Sequence, residues 1–403
     1  MTAYAAPQEN RNVRLLVVCQ ALYVCASAIG LTLTGLVGAM LAPARSLATL
    51  PFALVIVATA VGTIPVSLAM ANRGRRPLFM LGAGAGVLGG ALAAWAIADR
   101  SFAGFCLANM LLGLFQACAQ YYRFAATEAA SAALKPRAIG LVIGGGVVAA
   151  IVGPTLAAWA RDIWAPHTFA GSYLAVMALA GASTLVLSQL NLAPDAAPRA
   201  GEASMPLRTL ARNPCFIAAV SNSALGYAIM IFVMTATPLA VVACGLSVGE
   251  AASVIQWHLL SMFAPGFFTG RLIARWGVTC VLLSGAALFV AGVMLALSGT
   301  SLAHFGGALA LNGLAWNFMF VGGSTLLTQG LANAGAADRA RAQAANEFIT
   351  FAVVATGSLL AGATFNSQGW NTVNGLVLPF VALAALSTLW LWRTSKPRAT
   401  ATG

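Results

Sequence analysis

The chain has 403 residues and a net charge of +12, and its residues are 60% hydrophobic and only 7% charged. Its mean hydropathy of +0.88 excludes a soluble protein, which needs far more polar residues to cover its surface. Anionic lipid headgroups account for the positive charge, so no nucleic-acid partner is needed to explain it.

Apolar segments of about 20 residues, long enough to cross a hydrocarbon core of about 30 Å, recur along the whole chain. Because lipid offers backbone groups no hydrogen-bond partner, segments this long and uniformly apolar are predicted to be helices. We therefore predict an all-α membrane protein with twelve transmembrane helices. The predicted spans are 14–42, 47–71, 77–98, 102–130, 138–160, 169–190, 215–240, 249–270, 278–298, 302–331, 342–364 and 373–392.

The most polar stretch of the chain separates six predicted spans from the other six. We predict an N-terminal half at 1–190, a cytoplasmic linker at 191–213 and a C-terminal half at 214–403. The halves share weak internal similarity at one constant offset, which is typical of a duplicated transporter. This offset pairs Gly74 with Gly277, Asn109 with Asn312, and Lys135 with Asp338.

Basic residues predict the orientation, because cytoplasmic loops carry the excess of Lys and Arg. If both termini face the cytoplasm, the other side of the membrane holds only three basic residues, Arg45, Arg100 and Arg161. Arg123 is set aside, because it falls inside a predicted span. We therefore expect a multi-pass protein of the bacterial inner membrane with both termini in the cytoplasm.

Two six-helix halves, a central linker and basic glycine-containing loops after the second and eighth spans together resemble the major facilitator superfamily. The resemblance covers essentially the whole chain and implies two pseudo-symmetric halves with a gate at these two loops. The first loop keeps Arg73, Gly74, Arg75 and Arg76, and the second keeps Gly270, Leu272, Arg275 and Gly277. Neither loop carries the acidic residue of that family's motif, since Ala274 and Ala71 or Asn72 stand there.

Two pairs of soft ligands lie on consecutive spans, Met230 with Met234 and His258 with Met262. Residues four apart share one helix face, so each pair presents its donors along one stripe. Thioether and imidazole donors are neutral and soft, which favours Cu(I) over Mg, Ca or Mn. Cys244, near the outer end of the seventh span, is a candidate accessory thiol or simply a packed one. The alternative for the methionines is ordinary filling of apolar gaps.

These two pairs resemble those of the CcoA-like branch of the superfamily, which imports copper for assembly of cbb3-type cytochrome c oxidase. The resemblance implies that Met230, Met234, His258 and Met262 bind the transported copper ion, with no resident cofactor and no enzymatic activity. A sister branch that lacks the pairs is associated with riboflavin uptake. The sequence thus predicts a monomeric copper importer, whose downstream copper acceptor it does not identify.

Three ionisable residues lie in or near predicted spans, where they are expected to have a function. Arg123 and Glu128 are five apart on the fourth span, so each is expected to pair with another helix in gating or coupling, or to form a structural ion pair. Glu347 is a candidate proton carrier, although a place at the membrane interface beside the basic loop is the favoured interpretation.

A transporter of an organic solute such as riboflavin is the main alternative. It would use polar and aromatic side chains to line its cavity, namely Tyr121, Tyr122, Asn222, Trp257, Asn312 and Trp316. An electron carrier with haem bound by His258 and a methionine is a third hypothesis. It is disfavoured, because the chain supplies no second histidine for another haem and its duplication is typical of transporters.

Overall fold

The computed structural model describes residues 5–44, 47, 50–131, 134–192, 210 and 212–395. Arg45 and most of the predicted linker at 191–213 lie outside these ranges, so the boundaries of the two halves stay a prediction. The helices of the described residues are α1 (Ala5–Leu41), α2 (Leu50–Arg73), α3 (Arg75–Ala98), α4 (Phe102–Ala119), α5 (Tyr122–Ala129), α6 (Lys135–Gly144), α7 (Val147–Ala160), α8 (Ala170–Leu187), α9 (Pro214–Ala243), α10 (Val248–Phe263), α11 (Gly266–Trp276), α12 (Val278–Ser298), α13 (Leu302–Gly330), α14 (Ala336–Gly375) and α15 (Val377–Ser395).

The all-α architecture with twelve spans is confirmed, but four of the predicted spans are not single helices. The fourth is divided between α4 and α5 at Gln120 and Tyr121, and the twelfth between α14 and α15 at Leu376. Within the described ranges, 10 segments are long and apolar enough to cross a membrane. The fifth predicted span is divided between α6 and α7 at Gly145 and Gly146, and the eighth between α10 and α11 at Ala264 and Pro265. The twelfth begins earlier than predicted, because α14 bends at Gly369, where φ is 78°.

The residues paired by the internal repeat adopt matching conformations. Gly74 has φ 81° and ψ 163° between α2 and α3, and Gly277 has φ 83° and ψ 155° between α11 and α12. A side chain would strain the backbone at these positive φ angles, so both junctions require glycine. Asn109 in α4 and Asn312 in α13 are likewise both buried with a side-chain oxygen that has no hydrogen-bond partner.

Helices pack mainly within residues 5–190 and within residues 214–395, and two helix pairs make the most extensive contacts between these halves. One pair is α2 against α14, where the Ser67 hydroxyl donates to the Ala340 carbonyl oxygen at 2.8 Å. The other is α6 against α11, where a methyl group added at Gly140 would lie 2.5 Å from the Gly266 carbonyl oxygen. Both pairs therefore bring the halves into direct contact.

The N-terminal end of α1, the α2–α3 junction and the C-terminal end of α8 lie together at one end of the bundle, which we call the linker face. Asn12 donates to the Asn191 carbonyl oxygen at 2.8 Å, and Arg76 donates to the Ser188 carbonyl oxygen. The contacts between the halves through Ser67 and Ala340 lie toward this face, so the halves are closed together there.

Candidate functional site

Arg123 lies at the boundary between the halves, with only 3% of its side chain exposed. It belongs to α5, yet its guanidinium forms an ion pair with Glu347 of α14 and donates to the Ser324 hydroxyl of α13 at 3.0 Å. It also donates to the Gln120 carbonyl oxygen at 2.8 Å. A cation from the N-terminal half is thus held by groups of both halves.

Glu347 is fully buried, and only one of its carboxylate oxygens has a partner. Its Oε1 accepts from Arg123 at 2.5 Å and from the Asn346 side-chain nitrogen at 2.7 Å, whereas its Oε2 has no hydrogen-bond partner. Asn346 Oδ1 and Thr350 Oγ1 are also buried without a partner. Buried polar atoms are normally satisfied, so this group of unpaired polar atoms makes the segment of α14 around Glu347 a candidate ligand site.

An aromatic cluster adjoins this ion pair and consists of Tyr227, Phe263, Trp316, Phe320 and Phe351. The rings of Trp316 and Phe320 are stacked, with centroids 4.9 Å apart and an interplanar angle of 17°. Tyr227 meets both of these rings edge-on at 5.4 and 5.3 Å, and it meets Phe351 at 5.8 Å. The cluster therefore presents a continuous aromatic surface built by α9, α10, α13 and α14.

The aromatic cluster and the ion pair form one site. The Arg123 guanidinium lies over the Phe320 ring, 4.4 Å from its centroid, which is a favourable cation–π geometry. Trp316 Nε1 is buried without a partner, while Tyr227 stays partly exposed. From the N-terminal half, Tyr23 lies within electrostatic range of Tyr227. Flat rings, a cation and unpaired acceptors together suit a planar aromatic ligand with donor and acceptor groups.

The four predicted copper ligands are all buried within the C-terminal half. Met230, Met234 and Met262 are 1%, 8% and 6% exposed and share one apolar core, and His258 is 0% exposed. His258 Nδ1 lies 2.8 Å from the Leu309 carbonyl oxygen, and its Nε2 has no partner. The described residues hold no group of three or more His, Cys, Asp or Glu that could bind a metal. Copper binding by the methionines and His258 stays a prediction.

Arg123 and Glu128 each have the predicted partner on another helix, but the predicted position of Glu347 was wrong. Glu128 pairs with Arg75, whose Nε donates to Oε2 at 2.6 Å, and Arg75 also reaches Gln343 of α14 at 3.2 Å. Glu347 does not lie at the membrane interface beside the basic loop as expected, because it is buried against Arg123. Glu128 is the carboxylate that holds that loop.

The other residues of the predicted gate loops have different surroundings. Arg73 and Arg275 are exposed at the C-terminal ends of α2 and α11. Gly270 is buried where α6 crosses α11, since its backbone nitrogen would lie 3.3 Å from a methyl group added at Gly140. Cys244 is a free, exposed thiol at the C-terminal cap of α9. The role of Cys244 as an accessory metal ligand stays a prediction.

Most of the side chains predicted to line an organic-solute cavity lie outside the aromatic cluster. Tyr121 donates to the Thr63 carbonyl oxygen at 2.8 Å, Tyr122 packs against Phe79, and Asn222 donates to Thr388. Trp257 is 62% exposed on the surface of the bundle. Of the six predicted residues, only Trp316 belongs to the aromatic cluster.

Sequence reasoning missed the rest of the site. The residues that were not predicted are Tyr23, Gln120, Tyr227, Phe263, Phe320, Ser324, Asn346, Thr350 and Phe351. The run "ANEFITF" carried a usable signal, because three polar residues recur inside an apolar span at positions 346, 347 and 350. Such spacing places them on neighbouring faces of one helix.

Comparison with known proteins agrees with this architecture. Residues 16–337 match the model of the Major Facilitator Superfamily. The riboflavin transporter RfnT of Brucella anthropi is 43% identical over 383 residues, which cover 94% of this chain and 95% of that protein. The E. coli fucose:proton symporter FucP has a TM-score of 0.75 at 16% identity, covering 96% of this chain and 100% of that one.

The human organic anion transporter MFSD10 has a TM-score of 0.74 at 14% identity, again covering 96% of this chain and 100% of that one. At such identities these two structures show the fold alone. The family match spans most of the chain, and the relative from Brucella anthropi covers nearly all of it. The chain therefore belongs to the Major Facilitator Superfamily.

Proposed function

We propose that this chain is a secondary transporter that carries riboflavin across the membrane by alternating access. The observation that carries the proposal is the stacked Trp316–Phe320 pair beside the buried Arg123–Glu347 pair. This site occurs in a chain that is 43% identical to a riboflavin transporter. Riboflavin, which was the alternative prediction from the sequence, is therefore the substrate that we propose.

The chemistry of riboflavin matches the groups of the site. Its isoalloxazine ring is flat and aromatic and stacks on rings such as Trp316 and Phe320. The imide N–H of that ring is a donor for the unpaired Oε2 of Glu347 or Oδ1 of Asn346. The imide oxygens accept from Arg123, whose planar guanidinium offers several N–H groups. The ribityl chain carries hydroxyls for side chains such as Thr350.

The charge distribution predicts the orientation of the chain in the membrane. We assign the linker face to the cytoplasm of a bacterial inner membrane, because Lys and Arg concentrate on that side. On this face Arg75 links Glu128 of its own half to Gln343 of the other half. These contacts must break before the site opens to the cytoplasm, so Arg75 belongs to the proposed cytoplasmic gate, and import is the direction that we propose. A single chain carries the whole site and acts as a monomer.

Import of Cu(I) is a second candidate function. It is favoured by the burial of four neutral donors on neighbouring helices and by His258 Nε2, which has no hydrogen-bond partner. The relative named as a riboflavin transporter and the aromatic cluster support the first candidate instead. In the copper mechanism Met234, Met230, His258 and Met262 pass the ion inward in that order.

Uptake by proteoliposomes separates the two candidates. We expect uptake of labelled riboflavin in the presence of a copper chelator, and a loss of uptake in Phe320→Leu, because one face of the stacking surface disappears. The double variant Met230→Leu/Met262→Leu conserves volume and should transport riboflavin like the parent. Trp257→Leu, on the outer surface, is the control for substitution of an aromatic residue.

The reverse pattern would exclude the riboflavin proposal. That pattern is copper uptake by the parent that the double methionine variant abolishes, with no riboflavin uptake by either protein. Cellular copper content at equal protein levels gives the same comparison in intact cells.

A further inference from the structure

An apolar groove lies on the outer surface of the N-terminal half, between α7 and α8. It has a volume of about 410 Å³, and every side chain that lines it is apolar. Because α8 ends at the linker face, its first turns and this groove lie toward the opposite end of the bundle. The helices that form the groove are not those that form the aromatic cluster, so the two sites are separate.

The groove forms where small residues let α7 and α8 meet. A methyl group added at Gly171 would collide with the Ala160 carbonyl oxygen. Trp159 and Ile163 also line the groove, and they are 70% and 56% exposed. The groove follows α8 from Gly171 to Leu179, which is roughly 12 Å at 1.5 Å of rise per residue. One leaflet contributes half of a hydrocarbon core of about 30 Å, so the groove spans most of the depth of a leaflet.

An exposed ion pair lies beside the groove, in the turn that follows α7. Arg161 and Asp162 fall between two lining residues, Ala160 and Ile163. Arg161 Nε donates to Asp162 Oδ2 at 3.0 Å, and the two side chains are 53% and 59% exposed. The Arg161 guanidinium also lies 6.0 Å from the centroid of the Phe169 ring. One cation and one anion are thus held side by side at the end of an apolar surface.

This combination matches one class of phospholipid. A phospholipid places its acyl chains at the depth of the groove and its phosphate at the headgroup level, where Arg161 offers N–H groups that Asp162 does not use. The ion pair has no net charge, so it gives no advantage to a headgroup with a net negative charge. A headgroup with a phosphate and a primary ammonium satisfies Arg161 and Asp162 together, since the ammonium has three N–H donors. A quaternary ammonium has no N–H to donate to the carboxylate.

We propose that the groove binds one molecule of phosphatidylethanolamine from the leaflet opposite the linker face. One acyl chain lies between α7 and α8, the phosphate accepts from Arg161, and the ammonium donates to Asp162. The site lies within one half of the bundle and shares no residue with the aromatic cluster. Lipid binding is therefore independent of the substrate that the chain carries.

Native mass spectrometry of the purified protein tests this site. The protein is mixed with equal amounts of phosphatidylethanolamine, phosphatidylcholine and phosphatidylglycerol that share the same acyl chains. The parent should retain one phosphatidylethanolamine with a preference of about 2- to 5-fold over the other two lipids, which is the size expected for exposed ion pairs. Asp162→Asn should shift this preference to phosphatidylglycerol, because the charge of Arg161 is then uncompensated. Arg161→Gln should lower the retention of all three lipids.

Substitutions on α8 test the groove itself. Ala178→Phe should displace the lipid, because a ring at this exposed lining position fills the groove. Leu185→Phe is the matched control, since Leu185 lies two turns further along α8, is 70% exposed and is outside the groove. Asp99→Asn is the control for loss of a carboxylate, because Asp99 is exposed in the turn between α3 and α4, next to Arg100. Both controls should retain lipid like the parent.

Two results would contradict the proposal. Equal retention of the three lipids by the parent would overturn the assignment of the headgroup to Arg161 and Asp162, and this comparison needs no variant. Unchanged retention of phosphatidylethanolamine by Ala178→Phe would overturn the groove as the place where the lipid binds.

Discussion

At the residue scale, the central feature is the buried ion pair between Arg123 and Glu347, which joins the two halves. Each was identifiable from the sequence as an ionisable residue in an apolar span, which carries an expectation of function. Their pairing was not, because it joins residues 224 positions apart. Local spacing does not show whether Glu347 pairs with Arg123 or with a basic loop such as the one whose Arg75 pairs with Glu128.

The energetic consequence of this pair is testable by unfolding. Arg123→Met should lower the free energy of unfolding by about 3–5 kcal/mol, because it leaves a buried carboxylate without its partner. Arg123→Met combined with Glu347→Leu should recover most of that loss, since no charge is then left unpaired. Thermal unfolding of the purified proteins in detergent measures the difference. A double variant no more stable than Arg123→Met would contradict this account of the pair.

At the element scale, the crossing of α6 and α11 depends on two facing glycines. A methyl group at Gly140 would meet the Gly266 carbonyl oxygen, and one at Gly266 would lie 2.6 Å from the Gly140 carbonyl oxygen. Small residues allow helices in a membrane to approach closely. Hydropathy predicted two continuous spans here, because it measures length and polarity but not backbone geometry. The runs of glycine at 144–146 and Pro265 mark where these helices end.

This crossing makes substitution at Gly140 costly. Gly140→Ala should lower both the unfolding temperature and the transport rate, because the obstructing atom is backbone and cannot rotate away. Gly84→Ala is the matched control, since a methyl group at Gly84 in α3 would have no atom within 4 Å. It should be neutral or stabilising by up to about 1 kcal/mol through helix propensity. Equal behaviour of the two variants in melting and uptake would show that the close crossing is unimportant.

At the scale of the whole molecule, hydropathy and the internal repeat predicted the architecture well. Twelve spans, the matched glycine junctions at Gly74 and Gly277, and the superfamily all followed from patterns that recur along the chain. The candidate site did not, because it is assembled from α5 of one half and from α9, α10, α13 and α14 of the other. The spacing of Met230 with Met234 and of His258 with Met262 can be read from the sequence, because each pair is local. The prediction from sequence was therefore copper.

The most direct test of the central claim is a titration of the purified protein with riboflavin, followed by flavin fluorescence. Stacking on Trp316 and Phe320 should quench the flavin in a saturable manner. Removing the indole in Trp316→Leu should weaken binding by about 1–3 kcal/mol, roughly 5- to 150-fold in Kd. Trp257→Leu should bind like the parent. Absence of saturable quenching by the parent, or equal binding by Trp316→Leu and the parent, would contradict a riboflavin site in the aromatic cluster.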